Sequence, residues 1–254
     1  MTQNIYDNQD FFSGYAKLSR SVDGLDGAPE WPAIGKILPP LSGRKVVDLG
    51  CGYGWFCRYA RSQGATEVLG LDISEKMLNR AKEMTSENNI LYRREDLENI
   101  QLPQQTFHLA YSSLTLHYIK ALPALLTAVY DALLPGGSFI FSAEHPIYTA
   151  PKQPGWLIAD DGQKSWPVNS YQAEGERVTN WLAEGVIKQH RTLGTYINLL
   201  VKHGFVITHL NEWGPTTQQI IDCPALDEEK ERPMIFYSLH INLHKVNFII
   251  YQSF

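Results

Sequence analysis

The chain has 254 residues, 44% of them apolar and 19% charged, with a formal net charge of −5. That apolar share excludes a wholly disordered chain, and no run of about 18 apolar residues is present to span a membrane. An acidic balance without a Lys/Arg run argues against a nucleic-acid partner, which needs a basic footprint.

In chain order, residues 8–20 carry Phe11, Phe12, Tyr15 and Leu18 at helical spacing. A Gly/Asp turn at 23–27 leads to a short helix over 29–38, with Trp31, Ile34 and Leu38 inward and Pro39-Pro40 as the stop. The rhythm changes at Lys45. Residues 46–49 form a buried-strand run, 55–63 a helix, 68–72 a second strand, and 74–83 a helix with Ser74 as its N-cap. Strands follow at 90–93, 107–112 and 137–143, with a helix at 121–134 between the last two. This alternation predicts parallel strand–helix–strand units with right-handed crossovers.

The alternation breaks over 144–190, which holds Pro146, Pro151, Pro154 and Pro167 and is too aromatic for disorder. Within it, 178–182 and 186–189 flank Ala183-Glu184-Gly185 as a hairpin. Residues 192–203 return to helix, closed by Gly204, and 205–210 and 233–239 are two further strands. The apolar tail at 246–251 reads as an added edge strand or a cover for a partner, which raises the expectation of a homodimer. One α/β domain over 1–254 is therefore expected: an N-terminal helical segment (1–40), a core (45–143), an insertion (144–190), and a C-terminal helix with strands (191–254). Cys51, Cys57 and Cys223 have no metal-ligand spacing, and the opening residues lack a secretory signal. A reduced, cytoplasmic setting and no metal are expected.

The sharpest motif is Asp48-Leu49-Gly50-Cys51-Gly52-Tyr53-Gly54, between a strand and a helix. Glycines there let the backbone approach a ligand closely, beside exposed helix N-terminal amides. A dinucleotide site places its third glycine where Trp55 stands, and an indole would obstruct the tight helix–strand packing that motif uses. Asp72 ends the second strand, where a carboxylate can accept both ribose hydroxyl protons. Asp96, after the third strand, suits an exocyclic adenine amine, and the Leu97 amide a ring nitrogen. Ser112 and Ser113 end the fourth strand, so every group sits at the carboxyl edge where α/β sheets bind ligands.

Together with LDISEKML at 71–78, YSSLTLHYI at 111–119 and LLPGGSF at 133–139, these motifs resemble the class I S-adenosylmethionine-dependent methyltransferases. The resemblance is to their small-molecule "type 11" group, which includes ubiquinone- and menaquinone-pathway enzymes. It implies a Rossmann-like, seven-stranded, mostly parallel sheet with an antiparallel last strand, and S-adenosyl-L-methionine as cofactor. The 50–54 loop, with Gly50, Gly52 and Gly54, would then hold the methionine portion, Asp72 the ribose, and Asp96 with Leu97 the adenine, with Asp48 also in the cofactor site. Ile73, Met77, Ser112, Ser113 and His117 would complete the cofactor site, with Tyr15 and Arg20 from an N-terminal lid.

An oxygen acceptor must lose a proton, and a histidine titrating near neutrality suits that task. His145 or His190 is the expected base, with 144–190 walling a mostly apolar small-molecule site. Methyl transfer to an oxygen or nitrogen by in-line displacement is the expected reaction. Enzymes that methylate base amino groups usually carry an Asn/Asp-Pro-Pro-aromatic motif after the fourth strand; Ser112-Ser113-Leu114-Thr115 stands there instead. A non-catalytic module binding the same cofactor, and a nicotinamide-dependent dehydrogenase, are the alternatives.

Overall fold

Short apolar runs, each followed by an amphipathic segment, become strand–helix units in the computed structural model, which describes residues 2–242. The chain opens with α1 (Gln9–Tyr15), α2 (Ser19–Val22) and α3 (Trp31–Ile37). The core follows as β1 (Lys45–Leu49), α4 (Trp55–Ser62), β2 (Glu67–Asp72), α5 (Glu75–Glu83) and β3 (Ile90–Arg94). It continues with β4 (Phe107–Ser113), α6 (Leu122–Ala132) and β5 (Leu133–Glu144). The next stretch holds α7 (Pro146–Thr149), β6 (Leu157–Ile158), β7 (Lys164–Ser165), β8 (Gly175–Trp181) and β9 (Ala183–His190). Last come α8 (Leu193–Lys202), β10 (Phe205–Trp213), α9 (Thr217–Asp222) and β11 (Ile235–Asn242).

Seven strands form one sheet in the order β10-β11-β5-β4-β1-β2-β3. The β1–β2, β1–β4, β2–β3 and β4–β5 pairs are parallel. β11, the last strand among the described residues, runs antiparallel to both β5 and β10. The expected sheet is thus present, and its parallel strands deliver their carboxyl ends to one edge.

Each face of the sheet is covered by helices. On one, Leu122, Leu125, Leu126 and Val129 of α6 and Tyr196 and Leu200 of α8 pack on Phe139, Phe141 and Phe236. On the other, Ile34 of α3, Phe56, Cys57 and Ala60 of α4, and Leu78 and Ala81 of α5 pack on Val46, Val68 and Tyr111. Burying both faces is what parallel strands require. Ser74 caps α5 by accepting from the Met77 amide, and Gly204 closes α8 at φ +89°, both as expected.

Two segments depart from the sequence reading. The helix expected over 8–20 is broken: α1 ends just past Gly14, a weak helix former, and Leu18 is extended before α2 restarts. The hairpin turns at Leu182 rather than over 183–185, since Trp181 pairs with Ala183. Leu182 sits at φ +59°, rare for a branched aliphatic residue, and its side chain packs against Gly14 of α1. A tertiary contact stabilises a turn that local sequence does not announce. The apolar tail at 246–251 lies outside the described residues. Among the described residues, no helix is long and apolar enough to cross a membrane.

Candidate active site

The glycine loop is shaped by its register with β2. The amides of Gly50 and Cys51 both donate to the Leu71 carbonyl at 2.8 Å, which turns the chain off the end of β1. Gly50 has φ +78°, and a Cβ there would lie 2.2 Å from Thr115 Oγ1, so only glycine fits. Gly52, at φ +51°, differs: a Cβ would meet no atom within 4 Å, because its open side is cavity. Gly54 is the N-cap of α4. The obstruction expected of Trp55 does not arise. Its ring turns away from the sheet onto Gly24 and beneath Arg58, 4.5 Å from the guanidinium. Close helix–strand packing comes instead from Gly70, where a Cβ would lie 2.9 Å from Cys57 Sγ.

Two carboxylates are buried beside this loop. Asp48 is 2% exposed, accepts from Cys57 Sγ at 3.3 Å, and is pushed by burial to a pKa of about 7. Asp72 accepts from the amides of Gly52 and Ser74, each at 2.9 Å, and burial pushes it up to about 6. Among the described residues, no Lys, Arg or His lies within ion-pair distance of either carboxylate. Asp96 accepts from Thr2 Oγ1 at 2.6 Å and from the Glu98 amide at 3.0 Å, with Leu97 buried beside it.

These groups border one cavity of about 820 Å³, which Ile73, Met77, Ser113 and His117 also line. Ser112 does not line it; its hydroxyl donates to the Leu49 carbonyl at 2.8 Å and braces β4 against β1. Gly54 is likewise set back, at the helix cap.

The N-terminal segment roofs the cavity. Tyr15 and Arg20 both line it. The Arg20 fork is taken by Glu30, at 3.1 and 3.2 Å, and Tyr15 sets its ring edge-on to Tyr6 and Tyr53. Gln3 reaches β9: its Nε2 donates to the Gly185 carbonyl at 2.8 Å, and its Oε1 accepts from the Ile187 amide at 2.9 Å. The roof thus spans from Asp96 to the β8–β9 hairpin.

The two candidate bases are not brought to the cavity. His145 caps α7, its Nδ1 accepting from the Ile147 amide at 3.1 Å, so Nε2 carries the proton and donates to Glu212 at 2.6 Å. His190 Nε2 faces the Tyr171 carbonyl at 2.9 Å, an acceptor only, so Nδ1 is left to accept from the Thr149 hydroxyl at 2.8 Å. Both rings are buried with both nitrogens used, and neither lines the cavity. Burial holds both pKa values down, and the base role expected of them is corrected. Sequence reasoning passed over Glu144, one residue before His145, which does line it. It also passed over Glu30, the Arg20 partner, and Tyr6 and Tyr118 in the cavity wall. Among the described residues, no group of three or more His, Cys, Asp or Glu is arranged to hold a metal ion.

Comparison with known proteins follows the same outline. Residues 47–141 match the model of a methyltransferase-domain family. An S-adenosylmethionine-dependent methyltransferase from Mesorhizobium loti, solved as a crystal structure, is 52% identical and superposes with a TM-score of 0.83. The match covers 86% of this chain and 100% of that one. An uncharacterized protein of Haemophilus influenzae is 36% identical over 217 residues, 82% of this chain and 85% of its own. A malonyl-[acyl-carrier protein] O-methyltransferase of Pectobacterium atrosepticum is 36% identical over 106 residues, 42% of this chain and 41% of that protein.

Proposed function

The chain belongs to the S-adenosylmethionine-dependent methyltransferases, and from that premise we propose that its methyl acceptor is a small molecule held beneath the 144–190 segment. The observation that carries this reading is the pair of buried carboxylates, Asp48 and Asp72, facing one cavity with no cation beside them among the described residues. An uncompensated buried charge is costly, and a ligand bearing positive charge and hydroxyl donors offsets that cost. S-adenosylmethionine has both, and supplies a methyl group activated by its sulfonium. Asp72 would accept from the ribose hydroxyls, Asp96 and Leu97 would meet the adenine, and Ile73 and Met77 would flank it. The open side of Gly52 admits the approach of the methionine portion.

The protein's own contribution is placement and exclusion of water. Tyr6, Tyr15, Tyr118 and Trp181 give the cavity an aromatic wall. At about 820 Å³ it lies toward the top of the range for ligand pockets, roughly 300–1,000 Å³. That volume favours two ligands side by side over a module that holds cofactor alone. The roof of α1, α2 and the β8–β9 hairpin, together with a net charge of −5, favours a small acceptor over a nucleic acid.

Incubating the enzyme with a methyl-labelled donor and a metabolite extract tests the reading. Label is expected in a small molecule identifiable by mass. Label found only in nucleic acid or protein would overturn it.

A further inference from the structure

In the cavity wall Glu144 closes β5, and its surroundings differ from those of Asp48 and Asp72. Its amide donates to His117 Nδ1 at 3.3 Å, which fixes the ring with its proton on Nε2. That Nε2 stands 3.8 Å from Glu144 Oε1, too far for a hydrogen bond. Oε1 receives the Lys188 ammonium at 2.5 Å, and Lys188 is itself buried, with its ammonium over Trp181 and Tyr148. Charge at this site is therefore balanced within the protein. One valence is not: Oε2 is buried, and among the described residues no hydrogen-bond partner reaches it. Leaving a buried acceptor unmet costs about 1–3 kcal/mol, and such atoms call for a reason. Here the reason is adjacent, since Glu144 belongs to the cavity wall.

Resting on the small-molecule reading above, we propose that Glu144 Oε2 is the proton acceptor of the reaction and that the substrate is a protic nucleophile, bearing an O–H or N–H. The acceptor molecule donates that hydrogen to Oε2, which aims its lone pair at the methyl carbon. As the new carbon–oxygen or carbon–nitrogen bond forms, the carbon–sulfur bond breaks and its electron pair stays on sulfur. The proton passes to Oε2 and later to water. Lys188 orients the carboxylate through Oε1 and leaves Oε2 free. This assignment replaces His145 and His190, whose ring nitrogens are all engaged.

The test compares Glu144→Gln, Glu144→Asp and the double variant Glu144→Gln/Lys188→Met with wild type. Glu144→Gln alone strands the buried Lys188 charge, so a lower melting temperature is expected for it. The double variant removes both charges and is expected to regain wild-type melting temperature and affinity for S-adenosylhomocysteine by calorimetry. Label transferred from the methyl donor to the small-molecule product of the extract assay should nevertheless stay down about 10²–10⁴-fold. Glu144→Asp, which keeps the charge and retracts it by one methylene, should fold and lose at least 10-fold. Wild-type labelling by either the double variant or Glu144→Asp would remove the proposal while leaving the small-molecule reading intact. Failure of wild type to label any small molecule would remove both.

Discussion

At the carboxyl ends of β1 and β2, Asp48 and Asp72 are buried against the cavity without a cation among the described residues. At the end of β5, Glu144 meets Lys188 at 2.5 Å, and next to it His145 meets Glu212 and His190 meets Thr149. The first region is incomplete by itself, and the proposed cofactor would complete it. The second is nearly complete and keeps one oxygen in reserve. The cofactor end should therefore gain much of its stability from its ligand, while the acceptor end should be rigid before anything arrives.

The two regions also answer acid with opposite sign. Burial raises the Asp72 pKa to about 6 and Asp48 to about 7, and it lowers His117 to about 4. A carboxyl group with a raised folded pKa weakens the fold as pH climbs from its unfolded value, near 3.9, through the folded one. A histidine with a lowered folded pKa contributes fully above its unfolded value, near 6.5, and that contribution is lost as pH falls toward the folded one.

The largest effect is expected at Asp72. Replacing it with Asn removes the charge that the ribose hydroxyls would meet, and S-adenosylhomocysteine affinity should fall about 100-fold, or about 2.7 kcal/mol. The same change should raise the melting temperature of the ligand-free protein at pH 7. Holding the charge costs up to about 3 kcal/mol there, and one amide hydrogen bond lost to Asn returns about 1 kcal/mol of it. Below pH 4 the gain should vanish, because the wild-type carboxyl is then protonated in both states. Weaker binding without the gain in free stability would break the contrast between the two regions.

Next in size is His117. In His117→Asn the acid-sensitive contribution is absent, so the stability gap between wild type and variant should close by about 2 kcal/mol between pH 7 and 4.5. Urea unfolding at both pH values measures it. A gap of constant width would mean that the ring is not held neutral by its burial.

This contrast also explains what could be read from sequence. Asp48, Gly50 and Gly52 lie within one seven-residue motif, and Asp72 ends the neighbouring strand, so strand patterning alone places them together. The acceptor end is assembled from partners far apart in the chain: Glu144 with Lys188, Thr149 with His190, and His145 with Glu212. No local pattern pairs such residues. The end of β5 was legible as a functional position, but successive residues along a strand face opposite ways. Glu144 lines the cavity and His145 turns from it toward Glu212, so intrinsic pKa alone points to the residue that the fold directs elsewhere. Likewise the hairpin turn at Leu182 packs against Gly14 of α1, a contact that strand patterning cannot report.

The smallest effect concerns the element that joins the two regions. Thr2 holds Asp96 at the cofactor end, and Gln3, the next residue, holds Gly185 and Ile187 at the acceptor end. A ligand leaving the cavity past this roof must break at least one of these attachments. Both Gln3 bonds are exposed to solvent, so together they are worth about 1 kcal/mol. Gln3→Ala should accordingly raise the dissociation rate of S-adenosylhomocysteine about fivefold in stopped-flow experiments and leave the melting temperature of the free protein nearly unchanged. Thr2→Val should have a comparable effect from the other end, and the two should add if each attachment opens independently. A double variant no faster than either single one would show that the roof opens as a unit, with cofactor release gated by the acceptor end.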